Sequence, residues 1–160
     1  MIKISLISVG SLKENYYNDA AKEYEKRLSK YCTLNCIEIE PTKLNNSPSL
    51  SEIEAALKIE GQKIIQKIPR SAFIVSLCIE GKQLSSDAFA STLENLPHQG
   101  YSNICFVIGS SYGLDKEIKL KSNLRLSISP MTFPHRLARI MLLEQLYRCF
   151  KISEGSNYHK

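Results

Sequence analysis

Apolar and polar positions change period along the chain. Ile2–Val9 is a tight run of strand character that stops at Gly10. Lys13–Lys30 carries Tyr16, Ala20, Tyr24, Arg27 and Leu28 at helical spacing. Leu34–Ile39 reads as a short strand ending before Pro41. The stretch NNSPSLS at 45–51 is the most loop-like part of the chain. It leads into a polar helix over Glu52–Ile68, closed by Pro69, with Ser51 and Glu54 spaced as a capping box. Ala72–Ile79 is a nearly continuous apolar strand that Gly81 is expected to break. Ser85 or Ser86 caps a helix that runs to Leu96. Ile104–Ile108 is another buried strand, Asp115–Ser122 a short helix, and Leu124–Ile128 a further strand. Pro134–Lys151 is the longest helix, with Pro134 suited to its first turn. Ile152–Lys160 forms a tail.

Strands that alternate with helices predict an α/β fold, with a mostly parallel sheet and helices on both faces. One domain over residues 1–160 is expected, since no linker or internal repeat interrupts the pattern. The chain of 160 residues, 43% hydrophobic and 23% charged, is long enough to bury a full core without metals or disulfides. Its longest unbroken apolar run is the five residues Ile104–Ile108. A membrane helix needs roughly 18, so no membrane partner is expected. The opening MIKISLISVG lacks a secretion signal's long apolar stretch, and a cytoplasmic location is the expectation.

Charge and cysteine change this picture only slightly. The formal net charge is +5, and the excess sits late: residues 131–160 carry five basic and two acidic side chains. Local basicity of that kind suits a phosphate-rich partner or a solubilising surface. Cys32, Cys36, Cys78, Cys105 and Cys149 make an odd count with no CxxC pair, which fits small buried hydrophobes in a reducing compartment. His98, His135 and His159 are scattered, so no metal site is expected.

Candidate chemistry lies at three predicted strand ends, where open α/β sheets bind ligands. These are Leu77–Lys82, Ile108–Gly113 and Ser127–His135. Gly109 and Gly113 follow a buried strand, and glycine lets a ligand approach the backbone. The segment matches neither GxGxxG nor GxxxxGK[ST], which excludes the usual dinucleotide and nucleotide-phosphate loops. In the third segment Pro130 and Pro134 stiffen a turn around Met131, Thr132 and Phe133, a frame for presenting backbone groups to an adenine. The last helix is apolar around most of its circumference, from Leu137 to Phe150, which predicts a covering subunit with Leu142, Leu143 or Leu146 among the contacts. Arg136 and Arg139 share a face near its start, and Glu144 and Arg148 form an i,i+4 pair. The ending Tyr158-His159-Lys160 offers an aromatic, an imidazole and a cation.

FVIGSSYGLD at 106–115, LSISPMTFPHRLARIMLLEQLYRCFKI at 126–152 and the closing YHK at 158–160 resemble the RlmH-type methyltransferases of large-subunit ribosomal RNA, which belong to the SPOUT, or trefoil-knot, class. ISVGSLKENYYNDAAKEYEKRL at 7–28 and LCIEGKQLSS at 77–86 match in kind, so the resemblance covers essentially the whole chain. One departure is Ser110, where the family usually has a second glycine. The resemblance implies a knot over roughly residues 72–160 and a homodimer with active sites near the shared interface. It implies methyl transfer from S-adenosylmethionine to N3 of a pseudouridine in 23S rRNA, in a decoding-centre stem-loop, on the ribosome. It assigns the cofactor to Leu77, Gly109, Ile128, Ser129, Pro130, Met131, Thr132 and Phe133. It assigns catalysis to His159, Tyr158, Arg136 and Arg139, with Lys160 and His135 on the substrate. A sulfonium already activates its methyl group, so no metal is implied. The alternative is a non-enzymatic RNA- or ribosome-binding module, supported only by the late basic charge.

Overall fold

The longest apolar run becomes the centre of one five-stranded sheet. A computed structural model describes residues 1–159. The strands are β1 (Ile2–Val9), β2 (Cys32–Ile39), β3 (Phe73–Gln83), β4 (Asn103–Ile108) and β5 (Leu124–Ser127). Their order is β2-β1-β4-β3-β5, and every adjacent pair is parallel. The helices are α1 (Asn15–Leu28), α2 (Leu50–Lys67), α3 (Ser86–Asn95), α4 (Lys116–Lys121) and α5 (His135–Ser153), with short 3-10 turns at Pro97–Gln99 and Asn157–His159. No helix among the described residues is long and apolar enough to cross a membrane.

Alternation along the central strands divides the core into two layers. Ile4 and Leu6 of β1, with Ile104, Phe106 and Ile108 of β4, pack against α1, α3 and α5. Ile7, Val9, Cys105 and Val107 face the other way, against Ile64 of α2 and Ile118 of α4. Cys32, Cys105 and Cys149 are buried, and burial pushes their thiols up to about 11, 12 and 12 respectively. Thiols held that high stay protonated and behave as small apolar groups.

Local details differ from the periodicity in instructive ways. The capping box of α2 is closed by Ser49 and Glu52, two residues before the predicted pair, with Ser49 N donating to Glu52 Oε2 at 2.7 Å and Glu52 N to Ser49 Oγ at 3.2 Å. Pro134 stands just before α5 rather than inside it. Leu142, Leu143 and Leu146 are sealed inside their own subunit by the sheet, α1 and α3, so they are not the surface a second copy would cover. The apolar circumference of α5 is largely consumed by this one-chain packing.

Gly81 does not end β3, which continues to Gln83. Pairing with β4 stops at Ser76↔Val107, and pairing with β5 jumps from Leu77↔Leu126 to Lys82↔Leu126. The intervening residues bulge off the ladder, and the strand regains β5 where Gly81 lies against it. A Cβ on Gly81 would sit 2.8 Å from the carbonyl carbon and oxygen of Arg125 and from the carbonyl carbon of Leu126. Gly81→Ala is therefore expected to destabilise the protein by about 1–3 kcal/mol, because backbone on both strands must shift. Urea unfolding of the variant beside the wild type measures this.

Candidate active site

The bulged part of β3 and the loops that follow β4 and β5 converge on one cavity of about 670 Å³. Leu77, Gly109, Ile128, Ser129, Met131, Thr132 and Phe133 line it, together with His135. Pro130 lies in the same loop but is not among the lining residues. The bulge of β3 adds Cys78, Ile79 and Glu80, and the β4 loop adds Ser110 through Leu114. The volume falls within the range of small-molecule sites, and mainly apolar walls with a few hydroxyls are typical of them. Glu80 pairs with Lys119 at this wall, and that cation holds the Glu80 carboxyl below its ordinary range. Glu80 lies in the candidate segment 77–82 marked from the sequence, but its pairing with Lys119 was not foreseen, because their approach depends on the β3 bulge reaching α4.

Each loop is held by its own short-range bonds. Ser127 Oγ donates to the Ser129 carbonyl at 3.1 Å, and Ser129 Oγ accepts from Met131 N at 3.0 Å. These side-chain bonds fold the turn locally, as serine does in many turns. In the β4 loop Gly113 N donates to the Ser110 carbonyl at 2.9 Å, and Gly113 has φ +94°. A Cβ on Gly109 would lie 2.1 Å from the Gly113 carbonyl oxygen. The absence of a side chain at Gly109 is therefore required by the loop's own closure, before any ligand approaches.

The charged residues assigned from the sequence lie around the cavity rather than in it. Arg136 donates to the Ser11 carbonyl at 3.0 Å and pairs with Glu14 at 2.8 Å. Arg139 is 5% exposed and pairs with Glu38 of β2 at 2.7 Å. Arg139 thus clamps the first turns of α5 to the sheet and Arg136 clamps them to the connection between β1 and α1, the same turns that bring His135 and Ala138 into the cavity wall. Tyr158 docks at the other end of the helix. Its hydroxyl bonds Glu144 at 3.0 Å, its ring meets Tyr147 edge-on at 5.0 Å, and the Arg148 guanidinium lies 4.8 Å from its centroid. From Ala138 to Tyr147 the helix rises about 13 Å, so Tyr158 stands away from its own subunit's cavity. The side chain of His159 and all of Lys160 lie outside the described residues.

His135 is the imidazole among the described residues of the cavity wall. Burial, and then the neighbouring Arg136 cation, push its pKa below the ordinary 6.5, against a smaller opposing pull from Glu14. The imidazole is thus neutral at pH 7 and offers a free acceptor. Because its folded pKa is below the unfolded one, the unfolded chain binds the proton more readily, and stability is lost as pH falls below 6.5. His135→Asn is expected to lose less stability than the wild type between pH 7.5 and pH 5.5. Denaturant midpoints at the two pH values provide the comparison.

The family model described as "Predicted SPOUT methyltransferase" matches residues 2–159. Proteins named ribosomal RNA large subunit methyltransferase H are 46% identical in Clostridium acetobutylicum and 45% identical in Streptococcus equi subsp. equi, in each case over 99% of this chain and the whole of the relative. The one from Clostridioides difficile is 43% identical over the same extent. A probable methylase family protein from Haemophilus influenzae shares the fold, with a TM-score of 0.53 and 14% identity, over 99% of this chain and 70% of that one. With a parallel α/β sheet whose three strand ends form a single cavity, and with a family match from the second residue to the last described one, the chain belongs to the SPOUT methyltransferase family.

Proposed function

We propose that this protein transfers the methyl group of S-adenosylmethionine to N3 of a pseudouridine in 23S ribosomal RNA, in a decoding-centre stem-loop of the assembled ribosome. The cavity at the ends of β3, β4 and β5 carries the reading, and the names of the relatives support an RNA substrate. The cofactor supplies an electrophilic methyl on a sulfonium. Leu77, Ile128 and Phe133 offer apolar walls for its adenosine, and the Ser129–Thr132 backbone, stiffened by Pro130, offers N–H and C=O groups to the base edge. Gly109 keeps the opposing loop closed. The knotted path of residues 72–160 belongs to the same reading, as does a cytoplasmic site of action.

The imide N3 of pseudouridine is a weak acid, so transfer gains from a base and from positive charge near the forming anion. His159 is the base in this reading, since imidazole is the side chain suited to proton transfer near neutral pH, with Lys160 supplying charge and Tyr158 stacking on the nucleobase. His135 contacts the substrate as a neutral acceptor. Arg136 and Arg139 act through α5, which they hold over the cavity. Since Tyr158 docks some 13 Å of helix away from its own cavity, the tail serves the cavity of a second copy in a homodimer. The cavity's rim supports that arrangement: Ile79, Tyr112, Ile128 and Met131 line it and are 51%, 47%, 36% and 72% exposed. Apolar side chains clustered at one mouth are a surface that a partner covers.

Calorimetric titration with S-adenosylmethionine is expected to show saturable binding. Mass mapping of 23S rRNA from a strain lacking the protein should show one methyl group missing from a pseudouridine, restored on complementation. No binding heat together with unchanged rRNA would end this reading in favour of a non-enzymatic RNA module. Deleting residues 157–160 removes the Tyr158 contacts with Glu144 and Tyr147 but none of the described residues of the cavity wall. Cofactor affinity is expected to change less than about threefold, whereas methylation of ribosomes falls by at least about 100-fold, the scale of a lost general base. Full activity in the truncation would refute a role for the tail.

A further inference from the structure

A second, smaller cavity of about 190 Å³ lies behind the β4 loop, and Ser110, Ser111 and Tyr112 are walls of both. Its other side is formed by α2 and by the segment that follows β2, including Thr42, Ile53, Leu57 and Glu60. Glu60 is 4% exposed. One carboxylate oxygen accepts from Thr42 N at 2.9 Å, but the other, Oε2, is shielded from solvent and has no hydrogen-bond partner among the described residues. An unsatisfied carboxylate oxygen in a buried wall is costly, and a donor brought by a ligand would relieve that cost. Glu60 lies on the buried stripe of α2 with Ala56 and Ile64, at steps of four. That placement of a carboxylate among apolar positions was the sequence signal available for it.

We propose that this cavity receives the extruded pseudouridine ring and that Glu60 Oε2 accepts its N1–H. This rests on the pseudouridine reading above and deepens it by naming the group that selects the base. Enzymes that modify a base within folded nucleic acid commonly take it out of the stack and read its edge in a pocket, with stacking on apolar and aromatic side chains. Ile53 and Leu57 supply the apolar side, and Tyr112 stands at the partition with the cofactor cavity, which keeps the ring beside the methyl donor. N3 gives up its proton when it is methylated, so the ring donor that remains is N1–H. Uridine, attached to its sugar through N1, presents a C–H at the equivalent edge and leaves Oε2 unsatisfied. The amino-acid end of the cofactor fits this cavity less well. Its carboxylate would be brought beside Glu60, and none of the described lining residues is basic.

The test compares binding of ribosomes whose 23S RNA carries either pseudouridine or uridine at the methylated position. Each is titrated into wild type and Glu60→Gln, alongside S-adenosylmethionine. The wild type is expected to favour pseudouridine by about 10–100-fold, the range of a hydrogen bond to a charged group. Glu60→Gln keeps an oxygen for Thr42 N–H and puts an NH₂ where Oε2 stood, so the preference should collapse to near unity with cofactor affinity unchanged. Thermal unfolding of the variant without ligand is expected at or above the wild-type temperature, because a buried charge has been removed. A wild type that binds both RNAs equally overturns the proposal, and that measurement does not depend on any variant folding. So does a folded Glu60→Gln that keeps the preference, whatever happens to its turnover. A preference kept while cofactor affinity falls would reassign Glu60 to the cofactor's ammonium. A wild type that binds no S-adenosylmethionine and methylates neither RNA is a different pattern, and it removes the functional reading itself.

Discussion

Strand β3 has to satisfy two neighbours and still open at its carboxyl end. Its ladder with β4 closes at Ser76, and its ladder with β5 lapses between Leu77 and Lys82. That lapse is what turns a continuous parallel sheet into a sheet with a crevice. Had both ladders continued, Cys78, Ile79 and Glu80 would be ordinary strand residues rather than cavity wall. The bulge can rejoin β5 only because Gly81 has no Cβ to strike the Arg125 carbonyl. Cavity and strand pairing are thus one geometric problem solved at one glycine. The same economy appears at Gly109, where two backbones touch to close the opposite wall.

Helix α5 passes this geometry across the subunit. Its middle is anchored by Leu142, Leu143 and Leu146, all essentially inaccessible to solvent. Its first turns are fixed differently, by Arg136 to Glu14 and Arg139 to Glu38. An ion pair whose carboxylate stays partly in water, as Glu14 and Glu38 do, gains little net stability. Its value here is positional, because a guanidinium reaching from α5 to the edge strand β2 fixes the rotation of the helix. His135 and Ala138 then face the cavity, while Glu144 and Arg148 face away and hold Tyr158. Burial, and then Glu144, also push the Tyr24 hydroxyl up to about 12, so the tail docks on a phenol-rich surface that stays neutral.

The architecture was legible where periodicity is strong. The apolar runs at 72–79, 104–108 and 124–128 predicted strands that the structure places at 73–83, 103–108 and 124–127, and the segments at their carboxyl ends meet in space because ligand cavities of open parallel sheets form at strand ends. What sequence could not supply was contact between elements remote along the chain. Glycine was correctly singled out at 81 and 109, but for other reasons: one was expected to end a strand it continues, the other to admit a ligand where it admits Gly113. The α5 leucines were expected at a subunit contact because helical apolarity does not say which neighbour covers which side. Glu60 escaped notice because a single carboxylate in a polar-looking helix becomes unusual only when its stripe is seen to be buried.

Formal charge was the least reliable guide. Five basic residues in the last thirty suggested a phosphate-binding face, yet Arg136, Arg139, Arg148 and Lys151 each sit within 4 Å of a carboxylate. Two of those carboxylates, Glu14 and Glu38, come from the first quarter of the chain, so the excess counted along the sequence is neutralised by folding. For Arg136 or Arg139 to bind phosphate, it would have to release a partner and unfasten the start of α5. Affinity for RNA therefore has to come from other cations, and the proposed choice of the base rests on the cavities. There, hydrogen-bond matching against a buried acceptor discriminates far more sharply than surface charge, because a mismatched base leaves the acceptor dehydrated and unpaired.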